Sequence, residues 1–129
     1  MRDRDTLSRA RVQLDMWERR FKDFWSPHIY VFTHDTEGAA LRSRMFAPAM
    51  GIPEDPATGA AATALAGYLA QTQGDVTGMV GWVIEQGVEM GRRSLLDVEA
   101  DLVNGAITAV RVGGASVLVS EGEMEIPAV

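Results

Sequence analysis

The sequence contains no cysteine and only two histidines among its 129 residues, and these shortages exclude several classes of site. Without cysteine there is no disulfide, no thiolate nucleophile and no cysteine-ligated metal. Two histidines are too few for a histidine-based metal site, so we expect no metal. The formal net charge of −6 argues against a nucleic-acid binder, because such proteins normally carry a basic stripe.

Long apolar runs are missing as well. The longest uncharged stretch, residues 56–74, is too short and too rich in Ala, Thr, Gly and Gln to span a bilayer. The first residues are charged and lack the apolar run of a signal peptide. We therefore expect a soluble, cytoplasmic protein that does not enter a membrane. With 47% hydrophobic and 23% charged residues, the composition is typical of a single globular domain covering residues 1–129.

The first periodic feature lies in residues 5–25. Apolar side chains recur there at intervals of three and four, as Leu7, Ala10, Leu14, Trp17, Phe21 and Phe24. This spacing predicts one amphipathic helix that ends at Pro27. Its wide aromatic stripe needs a surface to cover, and two interpretations stand. The stripe packs on the sheet of this chain, or it forms an interface with another subunit or lobe.

Most of the remaining chain shows strand patterns. Residues 28–33 are β-branched and aromatic, and a polar turn is predicted at 33–38. Residues 40–46 alternate, which predicts a half-buried strand with Arg42 and Arg44 on one face. The Asn104-Gly105 pair between two apolar runs predicts a type I′ hairpin. The later strands are predicted at 81–86, 94–103, 106–112 and 115–120.

A second helix is predicted at residues 57–71, after a loop at 47–56 that carries three prolines and a glycine. Asp55 suits the N-cap of this helix, and Pro56 suits its first position. Because the helix is uncharged and apolar all round, we expect it to be buried on every side. The predicted architecture is α+β: a mostly antiparallel sheet curled around a central apolar helix, plus one outer amphipathic helix.

The start of this second helix is the candidate site. The carboxylates of Glu54 and Asp55 lie where the loop enters a helix, whose first N–H groups are free and whose dipole is positive at that end. Gly59 would let an anion approach the backbone, and Arg42 and Arg44 would add positive charge. An acid beside an anion site suits proton transfer near a carboxylate. An Asp-Pro pair at a helix start is also the ordinary form of an N-cap, so both interpretations stay open.

The string at residues 44–62, RMFAPAMGIPEDPATGAAA, resembles the signature of the PhzF (phenazine biosynthesis-like) isomerase family, roughly R-x-F-x-P-x-x-G-I-x-E-D-P-A-T-G-S-A. Two further motifs follow in the family's order. EQG and MGR within residues 85–92 resemble its Q-G-x-x-M-G-R-P-S element, and VGG at 112–114 resembles its turn before a final strand. The resemblance covers essentially the whole chain, but only the C-terminal lobe of the family.

The resemblance implies an enzyme of two similar lobes, like diaminopimelate epimerase, with the substrate between the N-termini of two central helices. It implies catalysis without metal, nucleotide or other cofactor, in which a glutamate on the first lobe moves the proton. Carried over to this chain, Asp55 is the catalytic residue that orients the substrate or assists proton transfer. Glu54, Thr58, Gly59 and Ala60 bind the substrate, the last two through N–H groups offered to its carboxylate.

This sequence departs from the family pattern at two positions. Ala60 stands where the family usually has serine, so a hydroxyl contact is lost, and Arg93 replaces the proline of G-R-P-S. Both changes weaken a specific assignment to the phenazine-pathway substrate. The epimerase branch of this fold uses a cysteine pair, which this chain lacks, so it cannot carry out thiol-based racemisation.

The absent first lobe leaves three possibilities for the assembly. The chain forms a two-fold homodimer, it pairs with a separately encoded N-terminal lobe, or it is an inactive fragment. Three functions correspond to the observations so far. The first is an isomerase or epimerase component that transfers a proton on a small carboxylic acid. The second is a non-catalytic module that binds small anions, and the third is a structural subunit held by the aromatic stripe within residues 17–25.

Overall fold

The computed structural model describes residues 1–34 and 40–125, which form an α+β fold as predicted. No helix within these residues is long and apolar enough to cross a membrane. The helices and strands that the structure describes are α1 (Arg4–Ser8), α2 (Leu14–Arg20), β1 (Ile29–His34), β2 (Ala40–Ala47), β3 (Ile52–Asp55), α3 (Gly59–Ala70), β4 (Gly78–Gln86), β5 (Ser94–Val103) and β6 (Ala106–Gly113).

The six strands form one mixed sheet with the order β1-β2-β4-β5-β6, and β3 pairs with the end of β2. Every pairing is antiparallel except that of β2 with β4, so the sheet is mostly antiparallel as predicted. The predicted hairpin is confirmed, because Asn104 and Gly105 both have positive φ, at 50° and 76°. β4 begins at Gly78, earlier than predicted, and β1, β2, β5 and β6 agree with the sequence pattern to within a residue.

Helix α3 packs against one face of this sheet. Its buried side chains join apolar residues of β2, β4 and β5 in a core made of Leu41, Ala62, Leu65, Ala66, Leu69, Ile84, Leu96 and Val98. The prediction that the helix is buried on every side is wrong: Ala60, Ala64 and Tyr68 are exposed, Tyr68 to 58%. The described strands cover only one side of the helix, so its uncharged sequence leaves a second side open.

The other face of the sheet is covered by the N-terminal segment. The single helix predicted at 5–25 is wrong, since α1 and α2 are separate and residues 10–13 between them are not helical. Leu7 and Trp17 are buried, whereas the rest of the predicted stripe is mostly exposed. At the break, the Arg44 guanidinium binds the carbonyl oxygens of Leu7, Ser8 and Ala10, so the end of α1 is held by the sheet instead of continuing into α2.

Four further expectations are affected. The predicted loop at 47–56 contains a short strand, β3. β2 is buried on both faces rather than half-buried, because α1 covers the side away from α3. Residues 115–120 form no strand and are exposed, because no described strand lies beside them. The turn predicted at 33–38 lies largely outside the described residues.

Candidate active site at the start of helix α3

The candidate site is the segment that joins β3 to α3. Asp55 is the last residue of β3 and pairs with Met45 of β2. α3 begins at Gly59 with Thr58 as its N-cap, so the prediction of Asp55 as N-cap and Pro56 as first helical residue is wrong. The reason is the pairing with β2, which keeps the Asp55 backbone in the sheet and delays the helix.

Within this segment the Thr58 hydroxyl donates a hydrogen bond to the Asp55 carboxylate, and no other described group binds that carboxylate. The first N–H that bonds within the helix is that of Ala62, which donates to Thr58 O at 3.0 Å. The N–H groups of Gly59 and Ala60 therefore lack a helical acceptor. The structure thus brings together Asp55, Thr58, Gly59 and Ala60, which the sequence predicted as site residues.

Glu54 lies on the opposite face of the sheet. Both of its carboxylate oxygens accept hydrogen bonds from Arg44, at 2.9 Å to Nε and 2.7 Å to Nη2. The hydrogen bond to Glu54 raises the pKa of Arg44 above its usual value. The guanidinium also lies over the Phe46 ring, 4.9 Å from its centroid. The structure therefore separates Glu54 from the other predicted site residues and engages it in a bidentate ion pair.

Arg42, the other arginine of β2, is also held by ion pairs with carboxylates. Arg42 binds Glu85 at 2.8 Å and Glu89 at 3.1 Å, and Arg93 binds the other oxygen of Glu85. Burial opposes ionisation of Glu85, but its hydrogen bonds from Arg93 and Arg42 outweigh this and lower its pKa. Arg93, which stands where the family usually has proline, thus joins an ion-pair network with Glu85 and Arg42. Arg42 and Arg44 share one face as predicted, but that face is turned away from the start of α3.

A groove of about 610 Å³ opens beside the start of α3. Thr58 and Ala60 lie along it, and its walls are mostly apolar and aromatic. Its lining includes the rings of Tyr30, Phe32, Tyr68 and His28. Its volume is within the range of ligand-binding pockets, and it joins an apolar wall to the polar groups of the helix start.

One residue of the site was missed in the sequence, namely Gln86. Its side-chain amide binds the Asp55–Thr58 segment and is fully buried. The signal was present in the alternation of β4, because Gln86 continues the inward series Val80, Trp82 and Ile84 with a polar side chain. Among the described residues, no group of three or more His, Cys, Asp or Glu is arranged to hold a metal ion.

Comparison with known proteins identifies the family. Residues 2–122 match the family described as Phenazine biosynthesis-like protein, PhzC-PhzF. The chain belongs to this family. The resemblance to the PhzF family that the three motifs suggested is thereby confirmed, and two of these motifs meet at the start of α3. The EDPATG segment of this PhzC-PhzF chain lies directly against the EQG turn.

Several curated relatives of this PhzC-PhzF chain are named isomerases. An uncharacterized isomerase of Mesorhizobium japonicum is 37% identical over 103 residues, covering 80% of this chain and 34% of that protein. The trans-2,3-dihydro-3-hydroxyanthranilate isomerase of Pseudomonas aeruginosa is 41% identical over 96 residues, covering 74% and 34%. An uncharacterized isomerase of Clostridium acetobutylicum is 29% identical over 123 residues, covering 92% and 41%. The chain thus spans roughly two fifths or less of these relatives' length.

Proposed function

We propose that this chain is one lobe of a cofactor-independent isomerase that transfers a proton on a small carboxylic acid. The observation that carries the proposal is the Asp55 carboxylate, oriented by Thr58 beside the free N–H groups of Gly59 and Ala60. The relatives named as isomerases support the reaction class. The chain aligns with about a third of the length of these relatives. The proposal therefore treats it as one lobe, which forms one half of a two-lobed site like that of diaminopimelate epimerase.

In the proposed mechanism, the substrate carboxylate accepts hydrogen bonds from the N–H groups of Gly59 and Ala60, where the helix dipole favours negative charge. The Asp55 carboxylate faces the reacting carbon and orients the substrate or assists the proton transfer. One proton leaves one carbon and a proton is returned at another, so no oxidant, reductant or cofactor is consumed. The groove beside α3 takes the apolar part of the substrate. Glu54 keeps a structural role, through its ion pair with Arg44.

The proposal requires a second lobe. In a two-lobed site the substrate lies between the N-termini of two central helices, and this chain supplies one of them, α3. A second copy of this chain or an N-terminal lobe of the kind that the family resemblance implies supplies the other. In the two-fold arrangement, two copies of Asp55 meet one substrate. In the other arrangement, the first lobe contributes the glutamate that the family resemblance implies.

A second candidate function is a non-catalytic module that binds small carboxylates at the same helix start. One observation favours it: Ala60 offers only a backbone donor where the family usually has a serine hydroxyl. This module would bind carboxylates without exchanging any proton of the ligand.

The test compares wild type with Asp55→Asn in heavy water. Solvent deuterium entering a panel of small carboxylic acids, including trans-2,3-dihydro-3-hydroxyanthranilate, is followed by NMR. We expect exchange with the wild type and a loss of at least about 100-fold in Asp55→Asn, the usual contribution of a positioned acid or base. Asp15→Asn is the matched control, because the Asp15 side chain is exposed in α2 and lies far along the chain from the site.

Both variants should keep the melting temperature of the wild type, so that lost exchange reports chemistry rather than unfolding. Undiminished exchange in Asp55→Asn would contradict the assignment of Asp55. Carboxylates that raise the melting temperature of the wild type without any deuterium incorporation would favour the binding module instead.

A further inference from the structure

Gln86 is a fully buried amide at the end of β4. Its neighbour on the same face of the strand, Ile84, belongs to the apolar core under α3. A buried amide is costly unless its donors and acceptor are paired, so the position of Gln86 calls for specific partners. These partners belong to the start of α3 and to Tyr30 on β1.

The amide of Gln86 binds both ends of the Asp55–Thr58 segment. Its Nε2 donates to the Asp55 carbonyl oxygen at 2.7 Å and to Thr58 Oγ1 at 3.0 Å. Its Oε1 accepts from the Thr58 backbone N–H at 3.4 Å, and the Tyr30 hydroxyl lies 3.3 Å away. The side chain therefore clamps the segment from the residue that ends β3 to the residue that caps α3.

These contacts fix the direction of the Thr58 hydroxyl proton. Thr58 Oγ1 accepts a hydrogen bond from Gln86 Nε2, so its own single proton must point elsewhere. The remaining neighbour is the Asp55 carboxylate, to which Thr58 donates. The Tyr30 hydroxyl contacts both Ser43 Oγ at 2.9 Å and Gln86 Oε1 at 3.3 Å, and a donor beside Oε1 favours the orientation in which Nε2 faces Asp55 and Thr58.

The next residue adds a backbone contact to the same segment. Gly87 has a φ of +78°, and a Cβ at this position would lie 2.8 Å from Pro56 O. The EQG turn thus contacts the Asp55–Thr58 segment through a side chain at Gln86 and through bare backbone at Gly87.

We propose that Gln86 is a positioning residue for the candidate active site, acting on Asp55 through Thr58. This role rests on the proposed function, and it does not require Gln86 to contact the substrate. Gln86 holds the Asp55 carboxylate and the first N–H groups of α3 in one fixed arrangement, so that both meet the same small carboxylate. Without the amide, Thr58 is free to turn its hydroxyl away from Asp55, and the segment moves relative to the sheet.

The test replaces the amide by an apolar side chain of similar shape, in Gln86→Met. Gln71→Met is the matched control, because Gln71 is an exposed glutamine that caps the other end of the same helix. Benzoate serves as the carboxylate probe for the full chain, and the amide signals of Gly59 and Ala60 are followed by NMR. Amide hydrogen exchange at Thr58 is measured without any ligand.

We expect Gln86→Met to raise the Kd for benzoate at least tenfold and to speed exchange of the Thr58 amide at least tenfold, while Gln71→Met changes neither more than twofold. These readings are taken well below the melting temperature of each variant, where a residue needed only for stability leaves the Kd unchanged. A folded Gln86→Met protein with the Kd of the wild type would overturn the proposal.

Two further outcomes are informative. If the wild type itself binds no benzoate, the proposed carboxylate site fails, and the role of Gln86 is judged by Thr58 exchange alone; unchanged exchange would then refute it. If Gln86→Met does not fold, Tyr30→Phe replaces it, because this variant removes the hydroxyl that contacts Gln86 Oε1 and Ser43 Oγ and keeps the ring. We expect at least threefold faster exchange at Thr58 in Tyr30→Phe, and an unaltered rate would count against the proposal.

Discussion

Gly87 is a residue at which packing and backbone conformation both require glycine. Its positive φ of +78° lies in the region that side chains with a Cβ rarely adopt. A Cβ there would also lie 2.3 Å from Arg92 O, a backbone atom that cannot turn away. The turn that follows Gln86 therefore depends on the absence of a side chain.

Gly87→Ala is expected to lower the free energy of unfolding by at least about 2 kcal/mol, through the strained φ and the contact with backbone. Gly67→Ala is the control within α3, where an added Cβ meets no atom within 4 Å. That change should raise stability by about 0.5–1 kcal/mol, as replacing a helical glycine usually does. Urea unfolding of the two variants checks the difference, and equal effects would contradict this account of Gly87.

Also at the residue scale, the start of α3 shows which features local sequence patterns predict and which they do not. The sequence correctly predicted a helix here, and the site role that it assigned to Asp55, Thr58, Gly59 and Ala60 stays a prediction. The predicted N-cap was wrong because two contacts with residues distant in sequence hold Asp55 in the sheet, its pairing with Met45 of β2 and the bond from Gln86. Gln86, 31 residues from Asp55, holds the Asp55 carbonyl oxygen, and this leaves Thr58 to begin the helix.

At the scale of elements, Arg44 joins the N-terminal segment to the sheet. Its side chain is 4% exposed, and its guanidinium reaches Glu54 of β3 as well as three carbonyl oxygens at and after α1. A planar group with five donors suits this arrangement, whereas an ammonium cannot reproduce it. One side chain of β2 thus fixes β3 on one side and the end of α1 on the other.

Arg44→Lys is expected to cost about 2 kcal/mol of stability, since the charge is kept but the bidentate pair and most carbonyl contacts are lost. The N-terminal segment should then be cleaved by trypsin faster than in the wild type. Arg19→Lys is the control, because Arg19 forms an exposed pair with Asp15 within α2, a type that contributes little. Similar cleavage rates in wild type and Arg44→Lys would show that Arg44 does not anchor the segment.

At the scale of the whole molecule, much apolar surface stays exposed. Trp25 is 87% exposed, Tyr68 lies open on α3, and Val117, Leu118 and Val119 extend from the end of the sheet with most of their surface exposed. Exposed apolar side chains of this kind are available for contact with a partner. It accords with the proposal of a chain that supplies one half of a cleft.

We expect light scattering of the purified chain to give about twice its 14.0 kDa mass, the result for a two-fold homodimer. Dilution should shift this mass toward that of the monomer, because association depends on protomer concentration. A monomer at every concentration would contradict the homodimer and leave two alternatives, pairing with an N-terminal lobe or an inactive fragment.

The sequence alone determined the family, through three motifs in order, together with most of the strands, the Asn104-Gly105 hairpin and the segment that forms the candidate site. These features depend on residues that are close together in the chain, and the periodicity of apolar residues and the residue types of turns are therefore enough to predict them. Only the tertiary structure decided that α1 and α2 are separate, that Glu54 lies apart from Asp55, and that Gln86 binds the Asp55–Thr58 segment. Each of these outcomes depends on hydrogen bonds between residues brought together by the sheet, and no local pattern specifies which buried polar group will meet which.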